Sequence, residues 1–270
     1  MKKVVVSGTP YEQGVQEGKA FQKLIHQNVQ LVREDLEKSH LNMDKYNELT
    51  RQNAEFIRTA QPEQWDEMTG IAAGAELPME DILLINVPTY FLKNCLGQEC
   101  SMVLARGNAT ADGCTYLVKN RDMGIQIQQV MVEYHYADGT SIAEVGGAGI
   151  VTYPALGVNS MGLTVTSTGF WSPKVEVHME DAASRNIFVN MHHLLRTCAT
   201  TQDVLTCLDS YPRMNGLNLI AADESSAVLV ETTRDDYLVE RSEERRVGKG
   251  PTNGAFSTAP TTICWATTRP

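Results

Sequence analysis

The hydrophobic period of this chain changes character near Gly97. Before it, apolar residues return at three- and four-residue steps; after it, short apolar runs are separated by polar turns. Helices, then strands, then two helices, then strands point to an α+β fold with a largely antiparallel sheet. A parallel sheet would need a crossover, usually a helix, between successive strands. No internal repeat is visible, which argues against a solenoid.

In the first part, Val4-Val5-Val6 is stopped by Ser7-Gly8-Thr9-Pro10. That is too short for the apolar region of about 7–15 residues in a secretion signal, and it reads as a first strand. Phe21, Leu24, Ile25, Val29, Leu31, Val32 and Leu36 then form the stripe of an amphipathic helix running to about Ser39-His40. A second helix is expected over 44–60, broken by Pro62, and a third over 63–74. Pro78-Met79-Glu80-Asp81 opens a fourth, with proline in its first turn and acids at the positive end of its dipole.

In the second part, residues 101–106 and 115–119 flank the turn Ala111-Asp112-Gly113 and read as a hairpin. Residues 128–136, 140–145 and 162–168 read as further strands, 184–197 and 201–210 as helices, and 217–222 with 227–232 as a last strand pair. The end is different. Arg241–Gly250 reads RSEERRVGKG and looks like a translated sequencing adapter, and the residues after it show no helical or strand period. The expected division is a helical segment over 1–99, a strand-rich catalytic segment over 100–240, and an anomalous tail over 241–270, so that the fold would be incomplete at its C-terminus.

Composition narrows the partners. The 270 residues carry a net charge of −10, which disfavours nucleic acid and anionic membranes, since phosphates are bound through Lys and Arg. The longest apolar runs, such as Ile82-Leu83-Leu84-Ile85, fall far short of the roughly 20 residues of a membrane span. None of the six cysteines sits in a Cys-x-x-Cys pair, so zinc-ribbon and thioredoxin patterns are missing. Reduced thiols in the cytoplasm are the expectation.

The stretch that carries chemistry is Gly97-Gln98-Glu99-Cys100-Ser101, followed by Lys119-Asn120-Arg121-Asp122. If the two strands are hairpin neighbours, Cys100 at the start of one faces Asp122 at the end of the other. Cations such as Lys119 and Arg121 beside a thiol favour its thiolate, and a carboxylate can hold an amine. Blander readings stand beside this one. Asp122 could cap a turn before Gly124, and Asn218 could be a strand-edge amide bonded to backbone. The adjacent His192 and His193 diverge by about 100° on a helix and read as one core and one surface residue, not a metal pair. Gly146-Gly147-Ala148-Gly149 lacks a phosphate-loop lysine and reads as a sheet bend.

In order and spacing, several segments resemble the acyl-coenzyme A:6-aminopenicillanic-acid acyltransferase family of N-terminal nucleophile hydrolases, with choloylglycine hydrolases and penicillin V acylases as more distant relatives. They are Tyr11-Glu12-Gln13-Gly14-Val15-Gln16-Glu17-Gly18, Gly70–Ala75 with Asp81–Asn86, Cys100-Ser101, Lys119–Asp122, Gly162–Thr166, and Gly216–Asp223 before Glu231. The resemblance implies a four-layer αββα sandwich. It implies self-cleavage between Glu99 and Cys100, leaving two chains of one precursor. Cys100 would then be the nucleophile and its new α-amine the base. Asp122 would hold that amine, Asn218 would serve the oxyanion, and Lys119, Asn120 and Arg121 would orient site or substrate. The implied substrates are small acyl-amides or acyl-thioesters, with coenzyme A as a leaving group and no metal or redox cofactor. Two rival readings are a Cys–His hydrolase using His135 or His178 without self-cleavage, and an unprocessed relative that only binds small acyl compounds.

Overall fold

The computed structural model describes residues 1–38, 43–86, 100–121, 126–169, 190–210, 213, 217–233 and 235–241, and the backbone of 261–266. Strand β1 (Lys2–Gly8) leads into α1 (Pro10–Lys38), α2 (Met43–Ala60), α3 (Pro62–Ala75) and α4 (Met79–Asn86). The hairpin β2 (Ser101–Gly107) and β3 (Gly113–Arg121) comes next, then β4 (Gln129–Tyr136), β5 (Ser141–Gly147), β6 (Leu156–Asn159) and β7 (Thr164–Gly169). Helices α5 (Met191–Thr197) and α6 (Thr201–Ser210) precede β8 (Leu217–Ala222), β9 (Ala227–Thr232), β10 (Tyr237–Arg241) and β11 (Thr261–Ala266).

The strands form two sheets. The large one runs β1-β4-β5-β6-β7-β8-β9-β10 and the small one β11-β3-β2. Every pairing is antiparallel except β1 with β4. Strand alternation divides the large sheet into two faces. Val130, Val132, Leu219, Val228 and Val230 join one cluster with apolar residues of all six described helices. On the other face, Met131, Val145, Leu156, Ile220 and Leu229 pack against Met102, Leu104 and Leu117 of the small sheet. The described layers are therefore helices, large sheet, small sheet. The expected second helical layer has no counterpart among the described residues.

Local chemistry explains the main helices. Thr9 and Glu12 form a capping box at the start of α1: Thr9 N donates to Glu12 Oε2 at 2.8 Å and Glu12 N to Thr9 Oγ1 at 3.3 Å. Phe21, Ile25, Val29, Val32 and Leu36 of α1 are all buried. Each such side chain taken from water is worth about 1.5–3 kcal/mol. Helices α1 and α3 cross at backbone contact, because Gly14 and Gly18 of one meet Gly70 and Gly74 of the other. A Cβ on Gly18 would lie 2.6 Å from the Ile71 carbonyl oxygen, and Cβ atoms on Gly14 and Gly70 would overlap the Glu67 and Tyr11 carbonyl oxygens.

Buried amides fasten helices to the sheet. Asn86 at the end of α4 donates to Gly149 O at 2.6 Å and accepts from Val151 N at 2.8 Å. Asn159 at the end of β6 donates to Leu195 O at 2.8 Å and Cys198 O at 2.7 Å.

Three elements differ from the expectations, and one is β10 (Tyr237–Arg241), which follows the pair expected to be the last. The short β6 gives no strand signal in the sequence: it is four residues long, contains Gly157 and follows Pro154 closely. Strand β11 lies in the tail that shows no period, where Thr261-Thr262-Ile263-Cys264-Trp265 is rich in β-branched residues. Of the helix expected over 184–197, residues up to 189 lie outside the described ones, and α5 accounts for the rest.

Candidate active site

The β2–β3 hairpin sets the geometry. Its register pairs Ser101 with Asn120 and Met102 with Lys119. Met102, Leu104 and Leu117 face the large sheet, so the alternation puts Lys119 and Arg121 on that same inner face. Asn120 points the other way and donates from Nδ2 to Ser101 Oγ at 3.1 Å. Cys100, one residue before β2, is half-buried.

Lys119 is only 6% exposed and donates from Nζ to the Ser167 carbonyl oxygen on β7. That bond ties the small sheet to the C-terminal end of β7. Burial pushes the Lys119 ammonium down to about 8; the nearby Cys100 sulfur works against that shift and the Arg121 cation adds to it. Cys100 thus sits within electrostatic reach of a desolvated lysine.

Asn218 stands at the start of β8, opposite Thr168 of β7 and Glu231 of β9. It shares a sheet face with Ile220, which packs against the small sheet. Ser167, which receives the Lys119 bond, pairs with Leu219 next to Asn218. Cys100, Lys119, Arg121 and Asn218 are therefore gathered toward one end of the sandwich interior. Asn218 Oδ1 is buried there with no hydrogen-bond partner among the described residues. A half-turn of the amide would exchange this acceptor for the Nδ2 donor. Glu99 and Asp122 lie outside the described residues. His135 is exposed on β4 and bonds Glu133 at 2.8 Å, while His178 lies outside the described residues.

A second polar centre, on the helical side of the large sheet, was not anticipated. Asn190 caps α5 by accepting from His193 N at 3.1 Å, and the helix turns His192 inward and leaves His193 half-buried. His192 Nδ1 lies 3.0 Å from both oxygens of Glu144 on β5, and its Nε2 lies 3.0 Å from Tyr136 Oη and 3.4 Å from Glu67 Oε2. Tyr134 Oη donates to Glu17 Oε2 at 3.0 Å, and Gly149 N donates to Glu17 Oε1 at 3.1 Å.

Burial raises Glu17 to about 7 and Glu67 to about 8. For His192 burial works downward, but Glu144 and Glu67 outweigh it and lift the imidazole to about 9. The reading of His192 and His193 as one core and one surface-side residue agrees with this. No local pattern marks the cluster, because its members come from α1, α3, β4, β5 and α5. The one signal in the sequence is Glu17 lying between Gly14 and Gly18, with Glu67 three residues before Gly70, on buried helix faces.

A family model described as acyl-coenzyme A:6-aminopenicillanic acid acyl-transferase matches residues 109–253. The match takes in Lys119, Asn120, Arg121, Asp122 and Asn218 and begins after Cys100. No curated protein matches the chain. Among solved structures it is similar to penicillin V acylase from Agrobacterium tumefaciens, at 11% identity and a TM-score of 0.38 over 54% of this chain and 50% of that one. The chain spans about half the length of that structure.

Proposed function

The chain belongs to the acyl-coenzyme A:6-aminopenicillanic acid acyl-transferase family, and on that premise we propose that it is a cysteine amidohydrolase or acyltransferase with Cys100 as its nucleophile. Its substrates are small acyl-amides, or acyl-thioesters whose acyl group passes to an amine, coenzyme A being one leaving thiol. The observation that carries the reading is the nearness of the half-buried Cys100 sulfur to buried Lys119, at the end of the sandwich where the Asn218 amide oxygen has no hydrogen-bond partner among the described residues.

Maturation comes first. The Cys100 thiol attacks the Glu99 carbonyl carbon, the Glu99–Cys100 C–N bond breaks, and the freed nitrogen takes the proton. Water then hydrolyses the thioester, leaving a carboxylate on Glu99 and an α-amine on Cys100. Residues 1–99 and 100–240 become the two working parts of one precursor, within the four-layer αββα sandwich of N-terminal nucleophile hydrolases.

The new amine then acts as the base. Its ordinary pKa of about 8 lets it accept a thiol proton near neutral pH, where an ordinary lysine at about 10.4 would already be protonated. The thiolate attacks the substrate carbonyl, and the oxyanion is stabilised by Asn218 Nδ2. The amine returns its proton to the departing nitrogen. Water or an amine then attacks the acyl-thioester and releases the sulfur. Asp122 holds the α-amine. Lys119, fixed to the Ser167 carbonyl, supplies a cation close to the thiolate, and Arg121 and Asn120 orient the site.

The reading is tested on the full chain with a chromogenic N-acyl anilide as substrate. An acyl group should appear, by intact mass, on the fragment that begins at Cys100. Turnover should vanish in Cys100→Ala and fall about 10²–10³-fold in Asn218→Ala with KM little changed. Turnover that survives Cys100→Ala would overturn the proposal.

A further inference from the structure

In the uncut chain the Cys100 nitrogen is part of a peptide bond, a donor whose electron pair is delocalised and takes no proton near neutral pH. The α-amine that serves turnover is therefore missing from the first cut, and another group must take the thiol proton. The hairpin narrows the choice. Met102 and Leu104 of β2 face the large sheet, and one further step of the alternation puts Cys100 on that same face. The β2–β3 register, extended by one pair beyond Ser101–Asn120, sets Cys100 opposite Arg121 and diagonal to Lys119. Diagonal neighbours on one face are about 7–8 Å apart, within reach of a long side chain. Arg121 cannot be the base, because a guanidinium keeps its proton in a protein. Of the described histidines, His26, His192 and His193 sit on helices across the large sheet, and His135 is exposed and bonded to Glu133. Lys119 is suited to the task. It is buried, and its Nζ donates to the Ser167 carbonyl oxygen, which fixes the nitrogen while the rest of the amine stays available.

Given the reading of Cys100 as a self-cleaving nucleophile, we propose that Lys119 is the base of the first cut: its neutral Nζ takes the Cys100 thiol proton, directly or through one water. The thiolate attacks the Glu99 carbonyl carbon. The C–S bond forms, the Glu99–Cys100 C–N bond breaks, and Lys119 passes the proton to the departing Cys100 nitrogen. One proton leaves sulfur and one arrives on nitrogen, so Lys119 ends neutral as it began. Burial makes this workable at neutral pH. It brings Lys119 down to about 8; the Cys100 sulfur works against that shift and Arg121 adds to it, and these are the charged groups that act on Lys119 among the described residues. About a tenth of such a lysine is neutral at pH 7, against less than about one part in a thousand for an ordinary lysine. Once the chain is cut, the α-amine takes over as base and Lys119 remains as the cation beside the sulfur.

The test follows the cut itself. The full chain is made by cell-free translation with radiolabelled methionine, translation is stopped, and loss of the uncut chain is followed on a denaturing gel at pH 6, 7, 8 and 9. The rate should rise about tenfold per pH unit from 6 toward 8 and flatten near 8. Lys119→Arg keeps the charge and a donor for Ser167 but cannot accept a proton, and it should cut at least about 100-fold more slowly at pH 8. Ethylamine added to Lys119→Ala should restore cutting in proportion to its neutral fraction, which a purely structural lysine would not allow. This rescue, with the parent pH profile, decides the matter if Lys119→Arg does not fold, as judged by trypsin resistance. The proposal fails if Lys119→Arg cuts within about threefold of the parent rate, if ethylamine leaves Lys119→Ala unchanged, or if the parent rate is flat from pH 6 to 8. A parent chain that is never cut overturns the self-cleavage reading and this role with it. A cut parent with an equally fast Lys119→Arg overturns the role of Lys119 alone.

Discussion

Glu17 and Glu67 lie on the buried faces of their helices, and both hold protons more tightly than an exposed acid. Their values of about 7 and 8 stand above the ordinary 4.5, because burial disfavours the charged form. A carboxyl raised in this way contributes stability that is complete below about pH 4.5 and is lost as pH climbs through its folded value. His192, raised from 6.5 to about 9, contributes stability that is complete below about pH 6.5 and lost on the way to 9. All three act in one direction. Stability should fall as pH rises from 5 to 9, by at most about 1.4 kcal/mol per pH unit for each proton involved. Urea midpoints at constant ionic strength measure this, and Glu67→Gln should make the slope shallower. A midpoint that rises over this range would contradict the assignment. Asp223 does not enter this window. Burial raises it, but the backbone N–H groups of Thr201, Ser225 and Ser226 prevail and hold it near 2.

At the scale of elements, the crossing of α1 and α3 puts Glu17 and Glu67 side by side. The four glycines let the helices touch through their backbones, and each acid sits three residues from a glycine in that contact, Glu17 from Gly14 and Glu67 from Gly70. In an exposed helix, Gly70→Ala would stabilise by about 1 kcal/mol through propensity alone. Here the new methyl group meets the Tyr11 carbonyl oxygen, which cannot move without disturbing α1. Overpacking should outweigh propensity, and Gly70→Ala should destabilise by about 1–3 kcal/mol in a urea titration. An unchanged or higher midpoint would mean that the helices separate easily.

The same elements show what could be read from the chain in advance. The stripe from Phe21 to Leu36 and the turns Ala111-Asp112-Gly113 and Asp138-Gly139 are local signals, and α1, the β2–β3 hairpin and the β4–β5 hairpin followed from them. The neighbourhood of Cys100 and Lys119 was legible because a hairpin register converts spacing into proximity. The approach of Asn218 to that end of the sandwich depends on sheet stacking, which no local pattern encodes. The Glu67–His192–Glu144 centre depends on three separate elements meeting, so neither period nor spacing reveals it.

At the scale of the whole molecule, the segment before Cys100 is woven into the rest. Strand β1 pairs along its length with β4, and Ile25, Val29, Met68 and Ile85 share a core with Val130 and Leu219. No described helix is long and apolar enough to cross a membrane. If the chain is cut before Cys100, both pieces should remain one particle: they should co-elute on a sizing column in buffer and separate only in denaturant. Separation in buffer would contradict this picture of the core.

The central claim is that Cys100 becomes a chain start and acts through its own amine. Intact mass of the purified protein under denaturing conditions tests it most directly. The account predicts two fragments, 1–99 and 100–270, from the parent chain and a single uncut chain from Cys100→Ala. An active parent chain that stays whole, or a cut that persists in Cys100→Ala, would contradict it.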